Sequence, residues 1–314
     1  MNPRALRGVI AAAATPLGAD LAPDVAGLVR HCRDLLRRGC DAVLCLGTTG
    51  EACSFSVEER LALVRGLGEA GLGPSLMLGI GSCAVPDAVR LARAALEVGA
   101  AHLLCLPPFY YKKVSDEGLR AAFSAVVEEV GDPRLRLYLY HIPQTSGVPL
   151  SRGLIERLHA AHPGAVVGVK DSAGDWSHTA ALLREPGALS VFSGTEEHLL
   201  GSLRLGGPGC ISAAFNIYPE LGAELLAGWQ APGAEERQAA LTGLRRILGR
   251  QPMVPAIKAL LARRDGAPGW ARGRPPLVAL EADRVEGLVR ELGQAGWSVG
   301  RQAQRTRSAG GGWA

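Results

Sequence analysis

Eight short apolar runs, most of them separated by a segment with helical spacing, constrain the fold of this 314-residue chain more than any other feature. Runs of this kind are typical of buried strands in a parallel sheet. The expected strands are 9–14, 42–46, 75–80, 101–106, 135–140, 165–169, 189–192 and 209–213. The alternation predicts an α/β protein with a (β/α)8 TIM barrel. A doubly wound open sheet is the alternative, but Gly79-Ile80-Gly81 lacks the third glycine of a dinucleotide fingerprint.

Local signals mark where the helices begin and end. Residues 23–38 repeat apolar side chains every three or four positions, as a helix packed on one face does. Ser56 and Glu59 form a capping box ahead of a second helix, and Ser115 caps a later one. Glycines that end helices are expected at Gly39, Gly71 and Gly99.

The alternation of strands and helices ends after Asn216, and the rest of the chain reads as helical. Helices are expected at 219–229, 234–249, 254–263 and 282–292. We therefore predict a barrel domain over 1–223, a C-terminal helical domain over 224–296 and a flexible tail over 297–314. The tail is rich in Arg, Gly and Ser, a composition that does not build a core.

The composition argues against several classes of protein. Hydrophobic residues make up 47% of the chain and charged residues 20%, which indicates a globular protein rather than a disordered, collagen-like or coiled-coil one. No apolar run approaches the ~18–20 residues that span a bilayer, so no membrane partner is expected. The 34 basic and 30 acidic residues nearly balance, and no dense basic block precedes the C-terminal tail. We expect no nucleic-acid partner.

The start of the chain and its cysteines both favour a reducing compartment. Arg4 and Arg7 precede only a short apolar stretch, which runs straight into Thr15-Pro16. We interpret it as the first strand rather than a secretion signal and expect a cytoplasmic location. The seven cysteines form no CxxC pair and no Cys/His group with zinc spacing, so they are expected to be small buried side chains. We predict no metal and no cofactor.

Lysine is scarce in this chain, and one lysine has a position suited to nucleophilic chemistry. The four lysines among the 34 basic residues are Lys112, Lys113, Lys170 and Lys258. Lys170 follows the apolar run 166–169, at the edge of a low-dielectric interior where desolvation favours the neutral amine. A neutral amine attacks a ketone, and the protonated imine stabilises the enamine needed to make or break a C–C bond. The alternative is that Lys170 pairs with Asp171 or with an acid that faces outward.

Other polar side chains follow the remaining strands, where a barrel collects its active-site groups at one mouth. Thr48 and Thr49 lie between glycines in a turn suited to a small carboxylate, although such residues also occur in ordinary turns. Tyr140 and Tyr111 are candidates for proton relay, with packing as the alternative. The segments that follow strands are 47–51, 107–111, 140–143, 170–172 and 193–197.

The ordered set of these motifs over residues 5–295 closely resembles the dihydrodipicolinate synthase/N-acetylneuraminate lyase family of pyruvate-dependent class I aldolases. The motifs are GTTGE at 47–51, the double tyrosine at 110–111, YHIP at 140–143, GVKDS at 168–172, SG at 193–194 and GCIS at 209–212. The resemblance implies a TIM barrel with a C-terminal helical domain. It also implies a homotetramer built from two tight dimers.

The resemblance also implies roles for individual residues. Lys170 would form a Schiff base with pyruvate or another 2-oxo acid, Tyr140 would hold the keto acid and shuttle a proton, and Thr48 would link to that relay. Tyr111 would reach into the neighbouring subunit's site, with Tyr110 as the alternative. The implied substrate-binding residues are Thr48, Thr49, Gly194, Ile211 (through its backbone) and Thr145.

Two departures from the family pattern bear on the substrate. Dihydrodipicolinate synthases carry an arginine two residues after the proline of the motif at 140–143, and Thr145 stands there. Ala213 stands where sialic acid lyases are expected to carry a sugar-contacting serine. The Lys-Asp-Ser run at 170–172 resembles that of aldolases acting on 2-keto-3-deoxy sugar acids or 4-hydroxy-2-oxoglutarate, and this resemblance favours such an aldolase. The alternatives are a 4-hydroxy-tetrahydrodipicolinate synthase, which condenses pyruvate with aspartate semialdehyde, a metal-dependent barrel aldolase and, from another class, a non-catalytic keto-acid-binding protein.

Overall fold

Eight parallel strands close into a barrel in chain order, with β8 hydrogen-bonded back to β1. The computed structural model describes residues 5–185 and 189–299. The strands are β1 (Gly8–Ala12), β2 (Ala42–Cys45), β3 (Leu76–Gly79), β4 (His102–Cys105), β5 (Arg136–His141), β6 (Val166–Asp171), β7 (Ser190–Ser193) and β8 (Gly209–Ser212). The expected (β/α)8 TIM barrel is confirmed.

Helices follow the strands and surround the barrel. Up to β8 these are α1 (Val25–Arg37), α2 (Val57–Glu69), α3 (Val85–Glu97), α4 (Asp116–Val130), α5 (Pro143–Ser146), α6 (Arg152–Ala161), α7 (Trp176–Arg184) and α8 (Leu199–Arg204). The predicted boundary signals hold: Ser56 and Glu59 form a capping box on α2, and the Ser115 hydroxyl accepts a backbone N–H at the start of α4. The expected helix-ending glycines have left-handed φ angles: Gly39, Gly71 and Gly99.

Four further helices follow β8 in the described ranges, and the last three of them build a second core. They are α9 (Pro219–Ala227), α10 (Ala234–Gly249), α11 (Met253–Asp265) and α12 (Ala282–Gln294). Leu260 of α11, Leu288 of α12 and Trp270 pack there with Ile217, which follows β8, so these helices are attached to the barrel through that loop. The domain division at residue 223 stays a prediction. Residues 300–314 of the expected tail lie outside the described residues.

The barrel interior is filled by apolar side chains, and Gly168 leaves room for the largest of them. Tyr138 of β5 is 1% exposed and packs edge-to-face on Phe192 of β7, with ring centroids 5.9 Å apart. A Cβ at Gly168 of β6 would lie 2.4 Å from the Tyr138 ring. Because side chains alternate along a strand, the residue two positions after Gly168 faces the same interior. That residue is Lys170.

Two features of the surface complete the fold. None of the helices in the described ranges is long and apolar enough to cross a membrane. Five cysteines are buried as expected, but Cys53 and Cys83 are exposed, so the prediction of a buried side chain is wrong for these two. Both lie in segments between a strand and a helix, where surface exposure is usual.

Candidate active site

β5 and β6 bring two of the predicted residues side by side. Tyr140 and Lys170 lie opposite each other in the parallel register of these strands, and Lys170 also lies opposite Phe192 of β7. β6 pairs with both neighbouring strands as far as Asp171, so Lys170 lies within the strand. The sequence predicted that Lys170 would come just after the strand. The Tyr140 and Lys170 side chains are 3% and 4% exposed. The amine is thus held inside the barrel rather than in bulk solvent.

Three functional groups form a chain of contacts at this point. Lys170 Nζ donates to the Tyr140 hydroxyl at 3.3 Å, and the Thr48 hydroxyl lies 3.3 Å from the same Tyr140 oxygen. Lys170 Nζ also lies 4.4 Å from the centroid of the Tyr140 ring. A phenol between a hydroxyl and an amine can accept a proton from one and donate to the other. The structure therefore brings together Lys170, Tyr140 and Thr48, the three residues for which the sequence predicted chemistry within one subunit.

Thr48 and Thr49 lie in a sharp turn between β2 and a short 3₁₀ helix at Ala52–Ser54. The turn begins and ends with non-glycine residues in the left-handed region, Leu46 at φ 59° and Glu51 at φ 57°. Such residues cost free energy and persist only where surrounding contacts hold them. Thr48 is exposed, whereas Thr49 is 7% exposed. The turn thus presents the Thr48 side chain to the mouth of the barrel next to Tyr140.

The other predicted substrate-binding residues occupy more varied positions. Ile211 is fully buried in β8 and belongs to the same inner apolar cluster as Tyr140. Gly194 follows β7 and donates its N–H to the Asp171 carbonyl at 2.6 Å, which ties the ends of β6 and β7 together. Thr145 lies on α5 and is exposed. Its role as a substrate contact stays a prediction.

The two tyrosines after β4 are the most exposed of the large aromatic side chains in the described ranges. Tyr110 is 75% exposed and Tyr111 is 72% exposed. Their rings contact each other edge-to-face, with centroids 5.3 Å apart. Neither tyrosine takes part in the hydrogen bonds that join Lys170, Tyr140 and Thr48 of the same polypeptide. Sequence reasoning assigned Tyr111 to a neighbouring subunit's site, and that assignment stays a prediction.

Behind Lys170, on the outer face of β6, Asp171 is the centre of a buried hydrogen-bond network that the sequence did not predict. Its Oδ2 accepts from Thr179 Oγ1 at 2.7 Å and from His178 Nδ1 at 2.9 Å, and its Oδ1 accepts from Ala173 N at 3.1 Å. Lys170 and Asp171 face opposite sides of the strand, so the alternative of a Lys170–Asp171 pair is wrong. The network fixes the end of the strand that carries Lys170.

His141, Asp171 and His178 are also the one trio in the described ranges with the spacing of metal ligands, within 4.8 Å of one another. The His141 Nδ1 accepts the Leu150 N–H at 3.1 Å, so in the neutral imidazole the proton sits on Nε2. A protonated nitrogen has no lone pair for a metal. Burial lowers the pKa of His141, which keeps the ring neutral and stacked on His178 at 4.6 Å between centroids. The trio thus fits a structural network better than a metal site.

A carboxyl group lies buried behind β7 and β8. Glu196 is 0% exposed, accepts a hydrogen bond from Ser212 Oγ and leaves its Oε1 without a partner. Burial raises its pKa. Thr195 caps the short helix at Glu196–His198, and the Glu196 side chain faces Ser212. Nothing in the sequence distinguishes this glutamate from Glu197, which is only half-buried.

Comparison with known proteins identifies the family. A sequence profile of the Dihydrodipicolinate synthetase family matches residues 5–295. The chain belongs to this family. Its similarity to a DapA-like lyase of Chloroflexus aurantiacus is 34% identity over 90% of this chain and 94% of the relative. The identity to 4-hydroxy-tetrahydrodipicolinate synthase 1 of Streptomyces coelicolor is 33%, over 93% of this chain and 95% of the relative.

Solved structures of the dihydrodipicolinate synthetase family share the whole fold. A dihydrodipicolinate synthase from Agrobacterium tumefaciens superposes with a TM-score of 0.84 at 36% identity, covering 92% of this chain and 99% of that one. YagE from Escherichia coli, solved in complex with pyruvate, gives a TM-score of 0.83 at 25% identity, covering 92% and 98%. The resemblance found in the sequence is confirmed, and so is the expectation of an enzyme of the class I lyase type.

Proposed function

We propose that this protein is a Schiff-base aldolase that acts on pyruvate, with Lys170 as its nucleophile. The observation that carries the proposal is the buried amine of Lys170, 3.3 Å from a tyrosine hydroxyl that also contacts Thr48. An amine removed from water at the mouth of a barrel is suited to attack a keto carbon. Membership of a family of lyases and aldolases supports the same reaction class.

Imine formation uses Lys170, Tyr140 and Thr48. The Lys170 nitrogen attacks C2 of pyruvate, and the electron pair of the C=O bond moves to oxygen, which takes a proton from the Tyr140 hydroxyl. The Tyr140 phenolate then takes a proton from the attacking nitrogen. A further proton, relayed from solvent through Thr48 and Tyr140, lets the new hydroxyl leave as water and gives the protonated imine. The Thr48 and Thr49 hydroxyls and backbone N–H groups hold the pyruvate carboxylate. A fixed donor at the developing oxyanion lowers the barrier because it needs no reorganisation.

The protonated imine then acts as an electron sink. Loss of a proton from C3 gives an enamine, whose carbon attacks the aldehyde carbonyl to form the C–C bond. In the reverse direction the same bond breaks, its electron pair returns to the imine, and an aldehyde is released. Hydrolysis of the pyruvate imine frees Lys170 in either direction. Tyr140 is the group placed to move the protons in both.

Thr145 supports a substrate without a second carboxylate near α5. Dihydrodipicolinate synthases are expected to clamp that carboxylate with an arginine, and a hydroxyl cannot replace a bidentate guanidinium. Of the two substrate types that the sequence favours, a 2-keto-3-deoxy sugar acid fits this position, because its aldehyde fragment has no carboxylate. 4-Hydroxy-2-oxoglutarate has a second carboxylate and would need another group to bind it. The second candidate is condensation of pyruvate with aspartate semialdehyde, because the Streptomyces coelicolor relative is named for that synthase activity.

A coupled assay tests this function. The protein is incubated with a panel of 2-keto-3-deoxy sugar acids and 4-hydroxy-2-oxoglutarate, and released pyruvate is followed with NADH and lactate dehydrogenase. We expect turnover of at least one acid and none by the Lys170→Arg variant, since a guanidinium does not form the imine. In a separate reaction without lactate dehydrogenase, consumption of pyruvate that requires aspartate semialdehyde, with no turnover of the acids, would favour the second candidate. No turnover of any substrate would contradict both candidates and favour a keto-acid-binding protein.

We also propose that the active enzyme is a dimer or a pair of dimers in which Tyr111 completes the neighbouring site. Its support is the exposure of Tyr110 and Tyr111, 75% and 72%, beside the mouth of the barrel. Two adjacent exposed aromatic rings are characteristic of surfaces that meet a partner. A second copy of this chain would cover them.

A further inference from the structure

Glu51 ends the turn that carries Thr48 and Thr49, and a lysine of the C-terminal helices holds its side chain. Lys258 of α11, 207 residues away in the chain, donates its Nζ proton to Oε1 of Glu51. The Arg274 backbone N–H donates to the other carboxylate oxygen at 2.9 Å. Both carboxylate oxygens therefore have partners outside the barrel domain predicted from the sequence.

The contact is transmitted to Thr48 through the backbone. The Glu51 N–H donates to the Thr48 carbonyl at 3.1 Å, and the Glu51 carbonyl accepts from Ser54 N at 2.9 Å. The left-handed conformation of Glu51 makes this arrangement costly for a non-glycine residue. Without the contacts to its side chain, Glu51 would be free to relax and shift the carbonyl of Thr48.

Burial indicates that the pair is retained for geometry rather than for stability. Glu51 is 3% exposed and Lys258 is 1% exposed, and desolvation lowers the pKa of Lys258 against the opposing effect of Glu51. Two charges taken out of water gain little net stability, and apolar side chains of similar volume often replace them without loss. A buried ion pair does fix the relative position of the two elements that carry it.

The second donor to Glu51 is itself held in place. The Arg274 guanidinium donates to both oxygens of Glu59 on α2 at 2.7 Å, and to the Leu21 carbonyl at 2.7 Å. It also lies over the Phe55 ring, 4.9 Å from the centroid. The backbone N–H of Arg274 is thus anchored to the barrel on both sides of the turn. Lys258 is the donor that comes from a helix of the second core.

We propose that Glu51 and Lys258 are positioning residues for the pyruvate site, through which α11 holds the Thr48–Thr49 turn in its binding conformation. The inference rests on the proposed function, because it concerns the same pyruvate carboxylate. Lys258 touches no substrate and acts on Thr48 only through Glu51. The C-terminal helices thereby become part of the binding machinery rather than an appended structural unit.

The test measures the pyruvate concentration that half-saturates borohydride trapping, read from intact mass, beside the thermal unfolding midpoint. The main variant is the double change Glu51→Leu with Lys258→Met, which removes both charges and leaves neither one unpaired. Lys258→Met alone is the second variant. The control is Glu220→Gln, which breaks the Arg38–Glu220 ion pair between the end of α1 and α9, away from the turn.

We expect the double variant to fold and its half-saturating pyruvate concentration to rise about tenfold, less than the ~100-fold that a 1 Å misplacement can cost. The control should reach half-saturation at the same pyruvate concentration as the wild type, even if its thermal unfolding midpoint changes. Half-saturation within about twofold of the wild type in both folded variants would overturn the inference. A control that shifts as much as the double variant would also overturn it, since the effect would then follow from lost stability.

The same experiment distinguishes failure of this inference from failure of the proposed function. If the wild type itself is not trapped by pyruvate and borohydride, the Schiff-base proposal fails before any variant is compared. If the wild type is trapped and the variants match it, the Schiff base stands and the positioning role is wrong.

Discussion

At the scale of single residues, the Tyr140 hydroxyl is the atom on which the candidate site depends. It contacts the Lys170 amine and the Thr48 hydroxyl, each at 3.3 Å, and its side chain is 3% exposed. In the described ranges, no other side chain hydrogen-bonds to both the Lys170 amine and the turn that is proposed to bind the carboxylate. The phenol is thus the one route for protons between Lys170 and Thr48 among the hydrogen bonds of the described ranges.

Replacing Tyr140 by phenylalanine removes this route and keeps the ring. We expect the rate of trapping at saturating pyruvate to fall by about 10²–10⁴, the usual loss of a general acid–base group. Tyr138→Phe is the matched control, since it removes a phenol two residues earlier on β5 that contacts His102 at 3.3 Å. Stopped-time trapping by intact mass measures both. Equal losses in the two variants would contradict a relay role for Tyr140.

The sequence was sufficient to choose Lys170, Tyr140 and Thr48, because a parallel barrel forces the C-terminal ends of its strands to one mouth. It was not sufficient to pair Lys258 with Glu51. The scarcity of lysine drew attention to Lys258, but its partner lies 207 positions away, and no local pattern encodes that contact. Likewise, His178 and Asp171 meet only once α7 packs beside β6.

At the scale of elements, the pairing of β5 with β6 fixes where the amine lies. Tyr138 lies opposite Gly168, and Tyr140 lies opposite Lys170, in successive layers of the barrel. Gly168 has no side chain, and the Tyr138 ring fills that space. The layer beneath Lys170 is consequently closed by an aromatic ring rather than by water.

Gly168→Ala should destabilise the barrel by about 1–3 kcal/mol, the range for overpacking a dense core. The new Cβ would lie 2.4 Å from the Tyr138 ring and 2.5 Å from the Ser190 carbonyl, so one of them has to move. Gly153→Ala on α6, where nothing lies within 4 Å, is the control and should stabilise by up to ~1 kcal/mol. Urea unfolding measures both changes. An unchanged or higher free energy of unfolding for Gly168→Ala would contradict the packing account.

Glu59, in the capping box at the start of α2, makes a contact whose contribution to stability depends on pH. The Arg274 guanidinium holds the pKa of Glu59 at about 2, below its ordinary 4.5. The unfolded chain therefore takes up this proton at higher pH than the folded one. The stabilisation by Glu59 is complete above pH 4.5 and is lost as the pH falls toward 2.

We expect Glu59→Gln to cost more stability near pH 6 than near pH ~3.5. At the lower pH the unfolded wild type has taken up a proton on Glu59 that the folded protein still lacks, so part of the stabilisation is already lost. Urea unfolding of both proteins at each pH gives the difference. Glu156→Gln, at an exposed position on α6, is the control. A difference between Glu59→Gln and the wild type that grows on acidification would contradict the assigned pKa shift.

Element boundaries were predictable where local chemistry decides them and not where pairing does. Ser56 and Ser115 cap their helices as expected, because a hydroxyl competes locally for the first N–H groups. The ends of β5 and β6 were predicted one and two residues too early, at Tyr140 and Val169. Hydrogen bonds to neighbouring strands extend them through His141 and Asp171, and those neighbours are distant in sequence.

At the scale of the whole molecule, the barrel and the C-terminal helices share contacts that bear on the active site. The second core packs on Ile217 after β8, and α11 reaches the turn after β2 through Lys258. The mouth of the barrel also exposes Tyr110 and Tyr111. If both proposals hold, the site extends beyond the barrel in two directions, toward α11 and toward a second copy of the chain.

Mixing two inactive variants tests the contribution of the second copy. Subunits with Lys170→Arg keep Tyr111, and subunits with Tyr111→Ala keep Lys170. In a mixed dimer, one of the two sites then has both groups. Random mixing of equal amounts should recover about a quarter of the wild-type turnover, because half of the dimers are mixed and each has one complete site. Turnover no higher than the sum of the two variants alone would contradict a shared site.

The most direct test of the central claim is to find which lysine forms the imine. Wild-type protein is treated with pyruvate and borohydride, digested, and its peptides are mapped by mass spectrometry. Two of the four lysines are buried, Lys170 beside Tyr140 and Lys258 beside Glu51, and they lie on separate peptides. We predict a reduced pyruvate adduct on Lys170 alone, and none in Lys170→Arg. An adduct on Lys258 in place of Lys170, or an unlabelled Lys170 at saturating pyruvate, would contradict the account.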